Sequence, residues 1–140
     1  MKLNLNALNS AIDNAFAEVI AKADTEFIAV IEDPNEFADI GLPNQDIVDS
    51  GRFRDAQVVD VQANKATWTW DPTSPENGYH YALALWFGFF AYGGTKYVPG
   101  RHWAFRALRR ADIVQTMAAE LQKQGIKAKV VRDDVGLLDS

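Results

Sequence analysis

The sequence predicts an α+β fold: a long N-terminal helix and a second, C-terminal helix packed on a small, mainly antiparallel β-sheet, with an extended aromatic loop or arm. Three observations predict it. Apolar residues recur at helical spacing through residues 5–31, the stretch ATWTWD alternates strictly, and helical spacing returns after residue 102. A chain of 140 residues is expected to form a single domain, 1–140, around one core.

The first helix, 5–31, presents Leu8, Ile12, Phe16, Val19, Ile20, Ala23, Phe27 and Ile31 on one face, with Asp13, Glu18, Asp24 and Glu26 between them. Asp33-Pro34-Asn35 ends it, because proline cannot continue the backbone ladder. Residues 33–52, with Pro34, Gly41, Pro43, Asn44 and Gly51, form a long connection. Residues 53–98 hold a β-hairpin, a central strand and the arm. The first strand lies in RFRDAQVVDVQ, and the second places Trp68 and Trp70 on one face and Thr67 and Thr69 on the other. The polar link Gln62-Ala63-Asn64-Lys65 suits a hairpin turn. YHYALALWFG is apolar on both faces, as a strand covered on both sides must be, and FFAYGGTKYVPG follows as a loop or hairpin arm. The second helix, 102–124, buries Trp103, Ala107, Val114, Met117 and Leu121 and stops at Gly125. IKAKVV, 126–131, is expected as an edge strand, its lysines on one face.

Composition narrows the function classes. There is no cysteine, which removes disulfides, thiol catalysis and thiolate metal sites and suits a reducing compartment. The start lacks the pattern of a signal peptide. The most apolar run, Tyr81 to Tyr92, is shorter than the roughly 20 residues a helix needs to span a bilayer, so no membrane association is expected. His80 and His102 belong to no HxH or HxxxH pair, and local structural roles are expected for both. No GxSxG elbow or phosphate-cradling loop is present, and Gly93-Gly94-Thr95-Lys96 reads as a turn. Asp33, Glu36, Asp39, Asp46 and Asp49 read as a solvated acidic loop, with a two-carboxylate hydrolase site as the alternative. The expectation is therefore no enzyme, no cofactor and no metal.

Charge and aromatics are unevenly placed. Residues 1–50 carry two basic against ten acidic side chains, and residues 51–140 carry twelve against nine. Such polarity can steer one copy towards another. Ten of the sixteen aromatic residues fall in 79–105, a stretch with no acid. Phe89, Phe90, Tyr92, Tyr97 and Trp103 sit around glycines and a proline, where the chain is expected at the surface and aromatics mark protein interfaces. Lys96, Arg101, Arg106, Arg109 and Arg110 follow without an intervening acid. They read as solvated arginines, as a patch for an acidic protein partner, or as a nucleic-acid contact.

The order of short motifs resembles that of phage neck and minor tail-component proteins, which act at the head–tail junction of long-tailed bacteriophages. Val48-Asp49-Ser50-Gly51-Arg52-Phe53-Arg54 is similar to that family's V-D-T-G-x-L/F-R segment. Tyr81 to Gly88 is similar to its tyrosine-containing strand, Gly94-Thr95 to its glycine–threonine loop, and Pro99-Gly100-Arg101-His102-Trp103-Ala104-Phe105 to the proline–arginine–aromatic motif opening the last helix. The chain departs at Phe87, where the family has an acid, at the extra FFAYG before Gly94-Thr95, and at His102, where a proline is usual.

The resemblance implies a virion protein without catalytic activity, assembled in the host cytoplasm into a hexameric or dodecameric ring of identical copies. Its neighbours would be head-completion or connector proteins and tail-terminator proteins, with packaged DNA passing through the channel unbound. Phe89, Phe90, Tyr92, Tyr97, Arg101, Trp103, Arg106, Arg109 and Arg110 are then the expected subunit-interface residues, with the arginines meeting the acidic first half of a neighbour. A tail terminator is the alternative in the same assembly, and a small hydrolase or nuclease the alternative from another class.

Overall fold

Helix α1 runs from Leu5 to Glu32 in the computed structural model, which describes residues 5–42, 51–62, 65–74, 78–91 and 93–127. At 1.5 Å per residue it is about 42 Å long. Its buried face changes character along its length: Ala11 and Ala15 give way to Ala23, Phe27, Val30 and Ile31. The small residues let the second half of the C-terminal helical region approach closely, and there Lys22 Nζ donates to Thr116 Oγ1 and Asn14 to Gln124. The large ones meet the aromatic core. Asp33 Oδ1 accepts from the Asn35 amide as Pro34 ends the helix, and a 3-10 turn at Ala38–Ile40 then places Phe37 and Leu42 inside.

The long connection 33–52 is thus partly structured, and its residues 43–50 lie outside the described part. The strand expected from residue 53 begins later. Arg52–Asp55 is a short helix, α2, entered through Gly51 at φ 76°, a left-handed conformation that glycine adopts without steric cost. The turn drives Phe53 fully into the core, its ring 4.7 Å from that of Trp103. Strands β1 (Gln57–Gln62) and β2 (Lys65–Trp70) then pair antiparallel from Gln57 opposite Trp70 to Gln62 opposite Lys65. As the alternation requires, Trp68 and Trp70 face inward, each 5.0 Å from the Phe27 ring.

The expected central strand is a helix. Ala82–Phe87 forms α3, with Tyr81, Ala82, Leu85 and Trp86 against the core and Leu83 and Phe87 each 71% exposed. A run apolar at every position has no period of its own, so it satisfies either geometry; Ala and Leu are strong helix formers and the core takes only one face. Without that strand the sheet does not join up. β1–β2 is one two-stranded sheet, and β3 (Gly88–Ala91) with β4 (Lys96–Pro99) is another, so the α+β class holds with two small antiparallel hairpins in place of one sheet.

The expected helix 102–124 is also divided, into α4 (Trp103–Ala111) and α5 (Ile113–Lys123). Asp112 makes the break at φ 42°, where its side chain accepts from the Gln115 amide and caps α5. Asp is among the few residues with a polar side chain that offsets this conformation. Gly125 closes α5 as expected: its amide bonds to the Gln122 carbonyl and that of Ile126 to Leu121, the double bond of a Schellman motif. Of the expected edge strand 126–131, Ile126 and Lys127 are not in a strand, and the remainder lies outside the described residues. The core is continuous from α1 through Phe37, Leu42 and Phe53 to Trp103 and Ala107.

Candidate interface: an aromatic hairpin beside a tryptophan groove

The β3–β4 hairpin is anchored at its base. Gly88 turns the chain out of α3 at φ 91°, the Arg101 amide donates to the Leu85 carbonyl at 2.7 Å, and Gly100 packs against α3. A Cβ at Gly100 would lie 2.1 Å from the Trp86 carbonyl oxygen, so no larger residue fits this joint. From that base the hairpin carries its aromatics outward. Phe90 and Tyr97 face each other across the strands at 5.1 Å and are 68% and 54% exposed, while Phe89 is at 36%. Of the expected interface residues these three are exposed. Tyr92 lies outside the described residues.

Between β2, α3 and α4 runs an open groove of about 840 Å³ lined by all four tryptophans, Trp68, Trp70, Trp86 and Trp103. One wall is β2, the other α3 and α4 with Ala104, Phe105 and Leu108, and Lys65 is the one charged lining residue among the described residues. The wall is fixed by polar bonds that the sequence does not announce. Asp24 of α1 accepts from Trp68 Nε1 at 3.0 Å and from Gln57 Nε2 at 2.8 Å, and Gln57 accepts from Trp70 Nε1 at 3.0 Å. Asp24 falls on the polar face of the first helix by sequence alone. Trp103 Nε1 is buried without a hydrogen-bond partner.

The arginines and Trp103 need correction. Trp103 is 4% exposed and Arg101 8%, so both belong to the interior of the subunit. Arg106 makes a bidentate pair with Asp39 at 2.9 and 3.1 Å and donates to the Glu36 carbonyl at 2.7 Å. Arg110 reaches Asp33 at 2.6 Å and also Glu36. The guanidinium carbons of Arg101 and Arg106 lie 5.8 and 4.9 Å from the centre of the Phe37 ring. The contact expected between one copy's acids and another's arginines is therefore made within one chain, because α1 and the 3-10 turn pack directly on α4. Arg109 and Arg110 are both exposed, Arg110 while paired with Asp33 and Glu36.

The clasp perturbs its members. Asp33 is held below its ordinary carboxylate range by the Asn35 amide and then by Arg110, and Asp39 by Arg106. For Arg110, burial opposes the charge, but bonds to Asp33 and Glu36 outweigh it and raise the guanidinium. Of the histidines, His80 pairs with Asp71 at 2.6 Å with both side chains about two-thirds exposed, and His102 stacks 4.8 Å from Trp86. Among the described residues there is no group of three or more metal-ligating side chains, and no helix is long and apolar enough to cross a membrane. Comparison with protein-family models, with curated proteins and with solved structures finds no match.

Proposed function

We propose that this chain is a structural subunit that works by assembling with copies of itself, and that its place is the head–tail neck of a long-tailed phage. The observation that carries the first part is the anchored β3–β4 hairpin, on which Phe90 and Tyr97 are more than half exposed and Phe89 about one-third exposed. Aromatics so displayed on a fixed base are interface anchors. Heterologous contacts between unlike surfaces close into a ring when the rotation allows, here of six or twelve copies by the family resemblance.

The neck assignment rests on the motif resemblance. It is supported by the structural work those motif residues do: Gly51 and Phe53 set the α2 turn, and Gly100, Arg101 and Trp103 set the joint between hairpin and α4. In this reading the chain is not an enzyme, and DNA slides through a channel that does not grip phosphate. The acidic surface of α1 suits such a channel or the outer wall, and pairing of Arg106 and Arg110 with carboxylates leaves little free basic surface near α4.

Native mass spectrometry and negative-stain imaging of the purified chain test the reading. A closed ring is expected, as are unjoined heads and tails from a phage lacking the protein. A strict monomer at every concentration, or infectious particles from the deletion phage, refutes it.

A further inference from the structure

The β3–β4 hairpin has two unlike faces, and the outward one continues onto α3. Side chains alternate along each strand, so the pair Phe89–Val98 lies on one face and the pair Phe90–Tyr97 on the other. Val98 packs against the core, which makes the Phe90–Tyr97 face the outer one. Gly88 lies between Tyr97 and the helix, and a Cβ there would lie 2.6 Å from the Tyr97 hydroxyl oxygen. Glycine lets the Tyr97 ring lie back over it, and the hydroxyl donates to the Phe87 carbonyl at 3.5 Å. Phe87 and Leu83, four residues apart on one side of α3, carry the surface on. Leu83, Phe87, Tyr97 and Phe90 thus form one uncharged ridge, each of them more than half exposed. Lys96, the hairpin's one charged residue, pairs with Ala91 and projects from the opposite face.

We propose that this ridge meets the same ridge of a second copy across a two-fold axis. This rests on the self-assembly reading above and gives the hairpin's contact its symmetry. An isologous contact sets a patch against itself, so it tolerates no unbalanced charge, and the ridge carries none. The chain as a whole has a net charge of −5, which makes copies repel one another. They repel least where acids are absent, and residues 79–105 contain no acid. A two-fold contact cannot close a ring by itself. It joins a ring built by other contacts to a second ring face to face, so the larger of the two copy numbers above is expected.

By symmetry the same side chains are contributed by each copy. At about 150–250 Å² for a whole aromatic residue, the exposed parts of Phe87, Phe90 and Tyr97 come to about 400 Å² on one copy. Leu83 brings the ridge to about 500 Å². Two copies then bury about 1,000 Å² in total, the size at which a specific interface begins. Phe87 and Tyr97 sit in the middle of the ridge, where the loss of an aromatic anchor is felt most.

The chain has no cysteine, so a single introduced thiol can link only to the same position of another copy. Leu83→Cys, Phe87→Cys and Phe90→Cys are each made alone in the full-length chain and oxidised, with the exposed Lys123→Cys as the control. A two-fold contact brings a residue near its axis against itself. At least one of the three is therefore expected to give a self-linked dimer in clear excess over Lys123→Cys, whereas a head-to-tail contact gives none. Phe87→Glu is expected to weaken self-association, followed by sedimentation, by at least about 100-fold, because each substitution is met twice across the axis. An unchanged association constant for Phe87→Glu overturns the contact. Assemblies that form normally while all three self-linked products stay at the control level overturn it too, and leave the self-assembly reading intact. A strict monomer overturns both. Monomeric chain that binds phosphatidylcholine vesicles through these residues, with no self-linked dimer, assigns the ridge to lipid and refutes the proposal.

Discussion

Replacing Asp24 with alanine removes the acceptor that holds the groove wall to α1. Trp68 Nε1 at 3.0 Å and Gln57 Nε2 at 2.8 Å both donate to Asp24 Oδ1, and both bonds are partly buried. Hydrogen bonds to charged groups contribute about 1.5–3 kcal/mol each, but they share one oxygen and relax together, so about 3 kcal/mol is expected for the pair. Alanine recovers about 0.5 kcal/mol through its higher helix propensity, which leaves a net loss of about 2–3 kcal/mol. For a domain of this size that lowers Tm by about 6–12 °C. Asp24→Asn keeps an oxygen in place and loses only the charge, so a loss of about 1 kcal/mol is expected. Urea unfolding followed by tryptophan fluorescence measures both, with an unchanged m-value as the sign that only stability has moved. The Trp68 indole N–H resonance should shift and exchange faster in Asp24→Ala. If Asp24→Ala lies within about 0.5 kcal/mol of the parent chain, or if Asp24→Asn is as damaging, the bonds do not anchor the hairpin and the argument fails.

Gly100→Ala places a methyl 2.1 Å from the Trp86 carbonyl oxygen, so α3 and β4 must separate; a loss of about 1–3 kcal/mol is expected together with weakened self-association, and an unaltered melting midpoint contradicts the tight joint. Acid should loosen the clasp between α1 and α4. Asp33 and Asp39 have lowered folded-state values, so their contribution is present above the ordinary carboxylate range and disappears as pH falls from about 4 through those lowered values. Arg110→Ala should reduce the acid-dependent part of the unfolding profile, and a profile identical to the parent's below about pH 4 refutes the assignment.

How much of this was legible in the sequence follows from where each period comes from. The existence of the first helix was readable from its three- and four-residue spacing, but only Ala23, Phe27 and Ile31 of its expected face are buried. The first half packs through Ala11 and Ala15 and leaves Ile12 exposed. The β1–β2 hairpin was readable because strict alternation in ATWTWD admits only a strand. The Gly125 stop was readable for a local reason, since a left-handed residue after a helix is usually glycine. The exposure of Phe89, Phe90 and Tyr97 followed from their position around the glycine turn.

Tertiary packing decided the rest. YHYALALWFG could be strand or helix, and became α3 because the space beside Trp103 accepts one face carrying Leu85 and Trp86 and leaves Leu83 and Phe87 outside. Asp24, placed by sequence only between the apolar positions of the first helix, became an anchor because two inward-facing tryptophans bring an indole N–H and the Gln57 amide to it. Arg106 and Arg110 looked like a free basic surface because nothing local pairs them. Their carboxylate partners lie 67 to 77 residues away in sequence. Local spacing determines which groups share a face of one element; which elements meet, and so which charges and donors are satisfied, is set only when the core closes.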